Sequence, residues 1–131
     1  MTKYRVASCN EKRLYLAYTA SAMFDIYDVL KDGQQVTDVL VGTKDTFQTF
    51  CKVVAIMAGY GERIRRTEGH LAEEPVSAES LMLVDPVEYL ELKREALAAV
   101  MCGYHKDIHD EDEVDVGLAE LQKKTDRQEH I

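Results

Sequence analysis

The stretch HKDIHDEDEVDVG, residues 105–117, holds the densest set of side chains able to do chemistry. His105 and His109 share a face if the helix before them continues, and histidines at i and i+4 can hold zinc. Asp110 or Asp112 would add a carboxylate ligand. The zinc-protease pattern needs a glutamate directly after the first histidine, to act as base. Lys106 stands there instead. A calcium loop opening at Asp110 would put Val114 at its fifth position and Asp115 where the turn glycine belongs,. Lacking convergent ligands and a second shell, the histidine pair reads as solvated side chains in an acidic segment.

The dipeptide His109-Asp110 is similar to the His-Asp pair of metal phosphohydrolases, with His70 and Asp25 as distant candidate partners. A small metal-dependent hydrolase built on His105, His109 and Asp110, with His70 as a further ligand, is therefore the alternative reading. Nucleophilic chemistry finds less support. Cys51 lies in the most apolar stretch of the chain, where a thiolate is disfavoured. Cys9 sits in an expected turn near Glu11 and Lys12, with no histidine close in sequence. Cys51 and Cys102 read as small core residues. No phosphate-cradling glycine loop and no nucleophile elbow occur. The RIRR run at 63–66 suits a helix C-terminus, where cations oppose the macrodipole. The expectation is a chain with no catalytic residue, no cofactor and no metal.

Charge and composition narrow the partners. The 131 residues carry a net charge of −8, and 46% are apolar, which fits a globular protein and argues against a general nucleic-acid binder. Residues 105–131 account for −5 of that charge. No secretory h-region opens the chain and no apolar run reaches membrane-spanning length, so the expected setting is a reducing cytoplasm.

The elements that must position any site read as α+β, mainly α. One globular domain is expected over 1–107, with an N-terminal β-hairpin packed on a small helical domain, followed by an acidic tail over 108–131. KYRVAS and RLYLAY flank the turn residues CNEK and form a hairpin over 3–18. Thr19 or Ser21 caps a helix to about 31, with Ala20, Met23, Phe24, Tyr27 and Leu30 as its apolar stripe. QVTDVLVG gives a helical turn ending at Gly42. A central helix spans 43–66 through Phe47, Phe50, Cys51, Val54, Met57 and Ala58, with Gly59 and Gly61 placed to end or bend it. A short helix follows over 77–84. Asp85, Pro86 and Glu88 then open a helix over 86–104, by a capping box with proline in the first turn. Its stripe is Val87, Leu90, Leu97, Met101 and Tyr104. LAELQKK, at 118–124, is either one more exposed helix or disordered. Tyr15, Tyr18, Tyr27 and Tyr60 are the candidates for protein contact, with core packing as the competing role.

The stretches KYRVASCNEKRLYLAYTASAMFDIYDVL (3–30), TKDTFQTFCKVVAIMAGYGER (43–63) and PVEYLELKREALAAVMCGYHKD (86–107) resemble, in element order and pattern, the tail assembly chaperones of long-tailed, siphovirus-type phages and prophages. The loop at 67–80 is longer and more charged than theirs. The resemblance implies a non-enzymatic role in tail morphogenesis in the host cytoplasm. Such a protein coats the long apolar tape measure protein until tube subunits polymerise around it. The implied partners are the tape measure protein and the tail tube protein, with self-association open; neither nucleic acid nor membrane is expected. Another phage structural or interaction protein remains the neighbouring alternative.

Overall fold

The computed structural model describes residues 4–10, 12–71, 74 and 76–104. His105, His109, Asp110, the acidic tail and the LAELQKK segment lie outside the described residues. The described chain is α+β and mainly α: strands β1 (Arg5–Cys9) and β2 (Lys12–Leu16), then helices α1 (Ala20–Tyr27), α2 (Val36–Val41), α3 (Phe47–Thr67), α4 (Ala78–Leu81) and α5 (Pro86–Gly103), with a 3-10 turn over Lys44–Thr46 before α3.

β1 and β2 pair antiparallel, with Cys9 opposite Lys12, Ala7 opposite Leu14 and Arg5 opposite Leu16. The connection is two residues long, and Asn10 takes the left-handed conformation (φ 51°) that asparagine tolerates,. Ala7, Cys9, Leu14 and Leu16 turn one buried face inward. An isolated hairpin is marginal in water; here β1 lies on α5 and β2 on α3. The contact with α3 is close enough to involve backbone. Ala17 N–H, just past β2, donates to the Met57 carbonyl at 3.1 Å. A Cβ added at Gly61 would stand 1.6 Å from the Tyr15 carbonyl oxygen. Gly61 therefore does not end the helix, and α3 runs on to Thr67. Its glycine costs helix propensity of about 1 kcal/mol and in return admits the strand.

The helix starts follow their local chemistry. Thr19 Oγ1 accepts from Ala22 N at 3.1 Å, and Asp85 Oδ1 accepts from Glu88 N at 2.8 Å with Pro86 in the first turn. The helix faces depart from the expected stripes. In α1 the buried residues are Ala22 and Ile26, whereas Phe24 and Tyr27 are 61% and 53% exposed. The helix stops at Tyr27, and only one side of it meets α3. The Tyr60 hydroxyl, which donates to Asp25, fits the rotation that turns Ile26 inward. In α5, Leu97 and Met101 are buried as expected, but Val87, Leu90 and Tyr104 are exposed. The core residues there are Leu92, Ala96, Ala98, Ala99 and Val100. The small side chains of Ala96, Ala98 and Ala99 suit close packing, and β1 and α2 both pack against α5.

Candidate functional site

The polar groups that could do chemistry are held in structural duties. Arg5 Nε donates to Glu95 Oε2 at 2.8 Å and Nη2 donates to Oε1 at 3.4 Å, tying β1 to α5. Arg94 Nη2 lies 3.3 Å from the same carboxylate. The hydrogen bond that Arg5 donates to Glu95 raises the Arg5 guanidinium pKa further, against a lowering by burial. Glu88 accepts from Asn10 N–H as well as completing the α5 capping box. Arg65 reaches Glu62 at 3.2 Å, and its guanidinium lies 4.0 Å over the Tyr15 ring.

Among the described residues no group of three or more His, Cys, Asp or Glu is arranged to hold a metal ion. His70 is exposed, and its backbone N–H closes the end of α3 on the Arg65 carbonyl at 2.9 Å. Asp25 accepts from Tyr60. Cys9 is buried at the end of β1, which raises its thiol pKa. Cys51 is fully buried, and burial pushes its thiol up to about 11. At neutral pH both are thiols and poor nucleophiles.

What stands open is aromatic. On α1, Phe24 and Tyr27 pack edge to face, ring centroids 6.1 Å apart, and present their other sides to solvent. Tyr60, one helix away, donates to Asp25 between them in sequence, and the Arg63 guanidinium lies 4.7 Å over the Tyr60 ring. The hydrogen bond to Asp25 raises the Tyr60 phenol pKa. Tyr18 is buried behind, 6.0 Å from the exposed Tyr104 ring. Burial drives its phenol pKa upward, with Tyr104 and Tyr27 contributing. Side chains of this kind combine a large apolar area with polar tips, which is what protein-contact surfaces enrich.

Of the four tyrosines singled out in the sequence, Tyr18, Tyr27 and Tyr60 gather here, with Tyr18 buried. Tyr15 stands apart on the outer face of the hairpin, between Tyr4 and Arg65. Phe24 and Tyr104 belong to the surface but were assigned to inward stripes by their periodicity. Further exposed aliphatic side chains are Leu83, between α4 and α5, and Val87 and Leu90 at the start of α5. No helix among the described residues is long and apolar enough to cross a membrane. Compared with family models, curated proteins and solved structures, the chain matches none.

Proposed function

We propose that this protein is a non-enzymatic binding module that acts as a tail assembly chaperone of a long-tailed phage or prophage, in the host cytoplasm. Its client is the tape measure protein; the tail tube protein is the second candidate partner. The observation that carries this reading is the exposed aromatic pair Phe24 and Tyr27 on α1, supported from α3 by Tyr60 and Arg63. An amphipathic client helix would lay apolar side chains on these rings, and Arg63 would meet its polar edge. The net charge of −8 keeps such a complex soluble.

The test is co-expression with a tape measure protein encoded beside this gene, followed by affinity purification. The wild-type chain brings the client down in soluble form. The double variant Phe24→Asp, Tyr27→Asp keeps its circular dichroism spectrum and loses the client. Absence of any client with the wild-type chain ends the chaperone reading. Undiminished capture by the double variant moves the contact away from α1.

A further inference from the structure

The outward face of α3 is a cationic strip on an acidic protein. Gln48, Lys52, Ala55, Gly59, Arg63 and Arg66 follow one another at steps of three or four residues, so they share one side of the helix,. The polar four are exposed, and Ala55 and Gly59 are half-buried. A Cβ added at Gly59 would meet nothing within 4 Å, in contrast to Gly61, so the middle of the strip is low and open. Glu62 is the only acid of α3; it is buried and paired with Arg65. Lys52, Arg63 and Arg66 have no ion-pair partner among the described residues. At about 1.5 Å per residue these three cations span about 21 Å of helix.

The complement of this strip is encoded in the same chain. Five of the six residues 110–115 are acidic. Six extended residues cover about 20 Å, the length of the strip. The point of departure fits as well. The Tyr104 ring lies 6.0 Å from the Tyr18 ring, and Gly103 packs on the Tyr18 backbone. Ala17, next to Tyr18, is hydrogen-bonded to Met57, which lies between Lys52 and Arg63 in sequence. The chain thus leaves α5 close to the middle of α3. Residues 105–109 reach up to about 18 Å, enough to pass round a helix about 10–12 Å across. So short a tether holds the acids at a local concentration on the order of millimolar, which a separate acidic chain does not match. A second copy would bring the same cations and a net charge of −8, which repels it. We infer that segment 110–115 docks on the outward face of α3 in its own chain, its carboxylates meeting Lys52, Arg63 and Arg66. Arg63 also borders the Phe24 and Tyr27 surface through Tyr60, yet the inference rests on charge and tether and not on the proposed function.

Carbodiimide coupling of the full chain, read by mass spectrometry, tests the docking, because the reagent joins a lysine to a carboxylate in contact with it. The expected product is an amide between Lys52 and an acid of segment 110–115, in the monomer fraction. Arg63→Glu combined with Arg66→Glu lowers its yield by about tenfold while the far-UV spectrum stays native. Salt at about 0.5 M lowers it too. A second measurement exchanges the five acids for their amides. The backbone NMR signals of Ala55 and Gly59 then shift, and that of the buried Val53 stays in place. An equal yield from the charge-reversed variant overturns the inference, since the contact then owes nothing to the cations. A Lys52 link confined to covalent dimers overturns it and assigns the strip to a neighbouring copy. Absence of the link, or Ala55 and Gly59 signals that do not move, overturns it and leaves the cations to a different acidic partner.

Discussion

α5 is one helix with two unlike halves. From Glu95 to Met101 every residue is buried. From Pro86 to Leu90 no residue is buried, although Val87 and Leu90 are aliphatic. The second stretch is the richer in apolar residues, six of seven against three of five, yet Val87 and Leu90 in the first are aliphatic and stay exposed, so aliphatic character alone does not decide burial. What differs is the company. The second half uses small residues, Ala96, Ala98 and Ala99, that let neighbours approach. It also carries one acid, Glu95, held by Arg5 from the hairpin. The first half carries two aliphatic side chains, Val87 and Leu90, that stay exposed among the described residues. Apolar area left open in this way is available to a partner.

The largest test of this contrast places one substitution in both halves. Val100→Asp buries an uncompensated carboxylate and is expected to cost more than about 4 kcal/mol, enough to unfold the protein. Val87→Asp is expected to change monomer stability by less than about 0.5 kcal/mol. Urea titration followed by circular dichroism separates them; comparable losses would dissolve the distinction. Truncation is the next test. Met101→Ala removes a buried side chain and costs about 2–5 kcal/mol, whereas Leu90→Ala costs under about 1 kcal/mol at low protein concentration. Thermal melts of the two variants should differ by well over 5 °C for a domain of this size.

The acids make a third pair. Glu95→Gln leaves Arg5 and Arg94 without their shared anion and is expected to cost about 2 kcal/mol. That is less than the loss of a fully buried pair, because Arg5 is partly open to solvent. Glu91→Gln leaves the monomer unchanged. Hydrogen exchange of the β1 amides reads the difference, since Arg5 is the tether, and equal protection in both variants would remove Glu95 from that role. The smallest effect falls at the start of the helix. Asp85→Ala removes the cap and costs about 1 kcal/mol, seen as fraying of the first turn by NMR.

Features encoded within a few residues were legible in the sequence. The Asn10 turn, the Thr19 cap and the Asp85-Pro86-Glu88 start each depend on neighbours in the chain, and each occurs where the residue types place it. The thiol of Cys51 was legible too, because a long apolar run on most helix faces has nowhere to go but the core. What was not legible depends on distant partners. Gly61 looked like a helix terminator, and its reason is a carbonyl at Tyr15, delivered by a strand. The pairing of Arg5 with Glu95 joins residues 90 apart. The inward faces of α1 and α5 were misassigned because several rotations satisfy a helical apolar period, and contacts with α3, β1 and α2 select one. That misassignment placed Phe24 and Tyr104 in the core, so half of the aromatic surface was visible only once the helices had been rotated into place.

The tether from the hairpin to α5 also orders events in time. Asn10 meets Glu88 and Arg5 meets Glu95 across separations of 78 and 90 residues. A ribosome makes the hairpin before it makes α5. At about 5–20 residues per second, the two strands wait on the order of ten seconds for α5. In that interval β1 lacks the helix it packs on, and its edge is open to other nascent chains. Strands made well before α5 are thus secured only once that helix is made.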